Sequence, residues 1–236
     1  MRRPEPRRAQ RAPLTREAII EAALRLLDRE GLDGFSMRGL ADELGTGAAT
    51  LYWHVRGKDE LLMLVLDRVI GEIEVPEPDA SGWQEQVKDI AREMRRTMGR
   101  HRDIARLTIG RIPVGPNATM VSERGLAILR SARLPARTCA FTLDLLGLYV
   151  GSIAYEESLG LQSPTGEDLP PEEVLGMIRA YWESLPAERF PNTRALLDDL
   201  LSGGPDERFE WGLDVIVRGL AATTVDGFGT DHQPQD

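Results

Sequence analysis

Apolar residues return every three or four positions along most of this chain. Ile20, Ala23, Leu24 and Leu27 follow the i, i+3, i+4, i+7 spacing of a helix with one buried stripe. Thr15 supplies the N-cap, Glu17 favours the first turn, and Gly31 is placed to end the helix. A second helix is predicted over 36–44 with Leu40 and Leu44 inward, and Gly45 breaks it. A third starts near Thr46 or Gly47 and runs to about Val55, and a fourth, over 58–74, carries the cluster LLMLVL. VPEPDASG then stops the pattern, and Pro76 with Pro78 marks the joint between a small N-terminal domain and a larger one.

Beyond Trp83 the same spacing predicts helices over 83–100, 103–111, 117–131, 135–159, 170–184, 191–202 and 205–222. Period-2 runs and hairpin signals are missing, so the expected fold class is all-α: a small three-helix N-terminal domain followed by a larger helical domain. The expected boundaries are a disordered basic arm at 1–14, a first domain with its linking helix at 15–74, a second domain at 75–222, and a disordered tail at 223–236. CAFTLDLLGLYVGSIAY (139–155) is apolar almost all round, and WGLDVIVRGLAA (211–222) is poorly polar. Helices of this kind need cover on most sides. They fit homodimerisation through 135–159 and 205–222; a simple monomeric core is the alternative.

Composition adds limits. The 236 residues carry a net charge of −9, which argues against indiscriminate binding to polyanions. Arg2, Arg3, Arg7, Arg8 and Arg11 nevertheless stand against Glu5 alone, so any nucleic-acid contact belongs to the N-terminal part. Cys139 is the single cysteine, excluding an intrachain disulfide. No apolar run is expected to reach the ~20 residues of a membrane span, and the N-terminus lacks the apolar core of a secretory signal. A cytoplasmic protein with no membrane partner is expected.

The chemistry concentrates in MRGLADELGTGAATLYWHVRGK (37–58). Small Ala41 permits close helix crossing and Gly45 a tight turn, which a helix-turn-helix requires. The second helix turns Leu51 and Val55 inward and leaves Ala48, Ala49, Thr50, Tyr52, Trp53 and His54 outside or at the rim. Such a helix enters the major groove, and Tyr52, His54 and Lys58 can donate to phosphate oxygens. Enzymatic function is not expected: there is no Glu-x-x-His pair, no metal-spaced histidine cluster and no phosphate-cradling glycine loop. A purely assembling helical module is the rival of another class, and it leaves LYWHVRGK unexplained.

Residues 15–74, and AIIEAALRLLDREGLDGFSMRGLADELGTGAATLYWHVRGKDELL within them, resemble the DNA-binding domain of the TetR family of transcriptional regulators. LYWHV followed by Lys58 is similar to the tetracycline-repressor branch, and WQEQVKDIA, HRDIARL and RFEWGLDVIVRGL extend the resemblance over nearly the whole chain. It implies backbone contacts from Tyr52, His54 and Lys58, and base or near-base contacts from Arg38, Ala48, Ala49 and Thr50. With alanines at 48 and 49, Arg38 becomes the candidate for a bidentate guanine contact.

The resemblance also implies a dimeric repressor released from a palindromic operator by a small-molecule effector, with recognition helices about 34–36 Å apart in the binding arrangement; an activator or a non-inducible regulator is the alternative. In that branch a histidine after the HRD-like segment coordinates drug-bound magnesium. Here the matching position is Thr108; the branch's amide and aromatic drug contacts fall on Ile90 and Met94, and Glu156 matches an acidic residue near the metal. Without the histidine, tetracycline–magnesium is not the expected ligand, and no metal or cofactor is expected. Ile90, Met94, Met98 and Thr108, with Arg111, Leu148 and Glu156, form the candidate effector set. The two methionines also suit core packing, Glu156 a solvated helix end, and His101 a helix terminus.

Overall fold

The structure is a computed structural model, describing residues 14–167 and 169–226. The expected arginine-rich arm, but for Leu14, and the last ten residues of the tail lie outside the described residues.

Twelve helices are described. The N-terminal part comprises α1 (Arg16–Gly34), α2 (Met37–Leu44), α3 (Ala48–Leu51) and α4 (Lys58–Ile70). Thr15 caps α1 by accepting from the Ala18 N–H, and Gly31, at φ 73°, interrupts the helix where it was expected to end. Ser36 caps α2 through the Gly39 N–H. At the other end Gly45 takes a left-handed conformation; its N–H donates to Asp42 and that of Thr46 to Ala41. This pair of bonds satisfies the last carbonyls and turns the chain sharply into α3.

Two N-terminal helices are shorter than their apolar pattern suggested. After Leu51 the chain tightens, with Trp53 and His54 donating to the carbonyls of Thr50 and Leu51, so α3 is one turn followed by a turn rather than a helix to Val55. Gly71 ends α4, although Ile73 beyond it is still buried.

The remainder comprises α5 (Trp83–Arg100), α6 (Ile104–Thr108), α7 (Pro116–Ser131), α8 (Ala136–Leu159), α9 (Pro171–Ser184), α10 (Pro191–Ala195), α11 (Leu197–Leu201) and α12 (Pro205–Asp226). The expected helix over 191–202 is broken at Leu196, and α12 continues four residues into the expected tail. Helices α5, α6, α7 and α8 pack on one another, α12 lies on α5 and α8, and α4 joins this bundle to α1. One apolar core runs through both parts, from Ile19 and Leu27 through Leu61 and Val65 to Ile128, Val150 and Leu213.

At 24 residues, α8 is long and apolar enough to cross a membrane by length and composition, contrary to the reading that no run reaches that size. Its packing explains the composition: Leu146, Val150 and Ala154 are buried against the bundle. The outer face stays bare, with Phe141 and Leu148 each 60% exposed. Ion pairs dock α12 on α5: Arg92 grips Glu210 with two nitrogens at 2.8 and 2.7 Å, and Lys88 bonds Asp214. The same seam holds Phe209, buried under the Arg95 guanidinium at 4.6 Å and stacked on Tyr149, whose hydroxyl donates to the Phe209 carbonyl.

Candidate nucleic-acid interface and effector pocket

Over Leu51-Tyr52-Trp53-His54-Val55 the two ends point inward and the three residues between them point outward around the turn that follows α3. Leu51 and Val55 are fully buried, while Tyr52 is 53% and Trp53 88% exposed, with His54 half-buried between them. Two large rings left in water beside a sealed core are unusual for packing and suited to docking. Ala49 is exposed and Thr50 half-buried on α3, Ala48 packs partly against the core, and Arg38 is exposed on α2. Of the two places the sequence left open for Trp53, outside or at the rim, the structure puts it outside.

Lys58 is held by backbone carbonyls. Its ammonium bonds the carbonyls of Phe35 at 2.8 Å and Leu32 at 3.4 Å and lies 5.5 Å from the Phe35 ring centre. It closes the C-terminal end of α1 in this structure. Glu60, two residues on, accepts from the Arg56 N–H and pairs with Arg16, so the start of α4 is fixed to the start of α1.

A second group of contacts, not anticipated from sequence, ties this interface to the bundle. The His101 ring sits between Asp28 at 3.0 Å and Glu72 at 3.3 Å. Arg102 donates its N–H to Asp28, Asp103 accepts from the Leu32 N–H at 2.7 Å, and Arg106 pairs with Asp33. Burial pushes the Glu72 carboxyl up, but His101 and Arg68 outweigh it and hold it below the usual carboxylate range. The HRD stretch is thus a clasp on the end of α1, and His101 is the helix-end residue the sequence suggested.

The expected effector residues divide into two groups. Ile90 and Met98 are buried and Met94 half-buried in the core of the bundle; Thr108 faces Gly151 of α8 and donates its hydroxyl to Ala105. Arg111 is exposed, 3.6 Å from Asp59, while Leu148 and Glu156 are exposed on α8. A cleft of about 450 Å³ opens where α5, the clasp and α8 meet, lined by Met98, His101, Asp103, Ala154, Glu157 and Ser158 among others. Met98 is the one expected effector residue on its wall. Among the described residues no three His, Cys, Asp or Glu side chains are grouped to hold a metal.

Residues 19–64 match the family model described as bacterial regulatory proteins of the tetR family, and residues 75–224 the model of the tetracyclin repressor-like C-terminal domain. The chain belongs to the TetR family. An HTH-type transcriptional regulator of Saccharopolyspora erythraea is 34% identical over 94% of this chain and 90% of its own length. The HTH-type transcriptional repressor DrrR1 of Streptomyces coeruleorubidus is 32% identical over 91% of this chain and 80% of its own. Among solved structures, Streptomyces coelicolor ActR in complex with actinorhodin superposes with a TM-score of 0.83 at 44% identity, covering 91% of this chain and all of that one. A TetR-family chain with this architecture is a DNA-binding, ligand-responsive transcriptional regulator, and the family is not one of enzymes.

Proposed function

We propose that this regulator represses transcription from a palindromic operator and is released by a small organic effector that needs no magnesium. The observation that carries the DNA half is the exposure of Tyr52 and Trp53 directly over buried Leu51 and Val55. In this reading Arg38 contacts a guanine, Ala48, Ala49 and Thr50 line the base edges, and Tyr52, Trp53 and His54 meet the backbone. Lys58 supports that surface from behind by holding the end of α1.

For the effector, Ile90, Met94, Met98 and Thr108 lie where α5, α6 and α8 pack, apolar side chains with one hydroxyl, and Met98 also lines the adjoining cleft. ActR has been solved with actinorhodin and with (S)-DNPA, which makes these two compounds the first probes. The bare face of α8, with Phe141, Leu145 and Leu148, and the exposed Trp211 and Val215 of α12 form the proposed homodimer surface. A cytoplasmic setting, where operator DNA is found, follows from the same reading.

The test is selection of bound duplexes from a random pool, then titration of the enriched duplex with each probe. Enrichment of a palindrome with half-sites one helical turn apart, and its release by actinorhodin or (S)-DNPA in EDTA, is the expected result. Release by tetracycline only when magnesium is added would overturn the effector reading.

A further inference from the structure

We propose that Asp67 couples α4 to the start of α7, which it caps from a different helix. The inference rests on the operator-binding reading above. Asp67 stands in an apolar stretch of α4 among buried Val65, Leu66, Val69 and Ile70, and is itself only 6% exposed. A carboxylate in that setting requires partners.

Helix α7 supplies them because it has no cap of its own. Gly115 at its N-cap has no side chain, and Pro116 at its first position has no N–H. The next two N–H groups, of Asn117 and Ala118, both donate to Asp67, at 3.3 and 2.9 Å. The Asn117 side-chain amide adds bonds to the Asp67 carboxylate at 3.2 Å and to its main-chain carbonyl at 3.1 Å. The charge therefore sits at the positive end of α7, where the aligned peptide dipoles favour it. The fit is close: a Cβ at Gly115 would overlap the carboxylate, and one at Gly71 would meet the Asn117 amide.

This junction lies between the two functions. Helix α7 packs on α8 and on α5, which carries Ile90, Met94 and Met98, and its first residue, Pro116, is eight residues beyond Thr108. Helix α4 packs on α1, whose end Lys58 and the clasp secure. A ligand that moved the stretch between α6 and α7 would move the donors away from Asp67, and α4 would lose its fixed angle to the bundle. Because coupling between sites is reciprocal, operator DNA held by the N-terminal part must in turn alter the start of α7.

The experiment measures amide hydrogen exchange at Asn117 and Ala118 in the full chain, free and bound to its selected operator duplex. In the wild type, DNA is expected to change exchange at these amides by about fivefold or more, the lower end of typical coupling between sites. In Asp67→Asn, which keeps the size but presents one acceptor oxygen, that change should fall below about twofold while the duplex still binds. Gly115→Ala, which displaces the carboxylate from the other side, should give the same loss and decides the question if Asp67→Asn does not fold. Unchanged wild-type exchange on DNA binding, or a change that survives in the folded variants, would overturn the role of Asp67. Failure of the wild type to bind any selected duplex would instead overturn the operator reading, and this inference with it.

Discussion

Trp53 and Lys58 lie five residues apart and have opposite surroundings. Trp53 is left in water with 88% of its surface exposed, whereas the Lys58 ammonium is held by two backbone carbonyls. Lys58→Met keeps the stem and removes the donors; loss of charge-assisted bonds of this kind predicts a destabilisation of about 1–2 kcal/mol, measured by urea unfolding. If Lys58 acted on phosphate instead, the variant would keep its stability and the salt slope of DNA binding would drop by about one. Arg38→Ala should reduce affinity for the selected operator by about 1–3 kcal/mol and relax preference at one base pair. Uniform weakening on all duplexes, read from a panel of single-base changes, would make Arg38 a backbone contact.

At the scale of elements, ion pairs and one aromatic stack hold α12 to the bundle. The bond from Arg92 holds the Glu210 carboxyl below its usual value of 4.5, and the bond from Lys88 holds that of Asp214 below 3.8. Lowered carboxylates contribute stability that is complete above those ordinary values and is lost as pH falls through the lower folded ones. The melting temperature should therefore hold steady between pH 7 and 5 and fall below about pH 4. Glu210→Gln should start lower at pH 7 and decline less on acidification; an equal decline in both proteins would assign the acid sensitivity elsewhere. Phe209, buried in the same seam, predicts a larger effect on truncation: Phe209→Ala should lose about 3–5 kcal/mol in urea unfolding.

For the whole molecule, a chain of net charge −9 is asked to approach a polyanion. Binding must then depend on a local surface, and its logarithm should fall linearly with that of salt concentration. The bare α8 face predicts self-association: Leu148→Glu should shift the protein from dimer to monomer in sedimentation and weaken operator binding in parallel. A variant that stays dimeric would place the interface elsewhere. The helix-turn-helix was legible from Ala41, Gly45, Leu51 and Val55 because cap, turn and stripe are local properties of neighbouring residues. Periodicity also located α5, α7 and α8 almost to the residue. It overran at Val55 and Glu74, where a tightened turn and Gly71 end helices that the apolar pattern would continue. Asp67 was visible as the one acid in LLMLVLDRVI, yet its partners at Asn117 and Ala118 are fifty residues away, and nothing in the spacing names them. The clasp from His101 to Arg106 onto α1 is hidden for the same reason. Local sequence determined the helices and the exposed rings of Tyr52 and Trp53, since backbone capping and side-chain periodicity act over a few residues. Tertiary packing alone decided which charged groups tie α1, α4 and the bundle together, since those bonds depend on where separate helices come to rest.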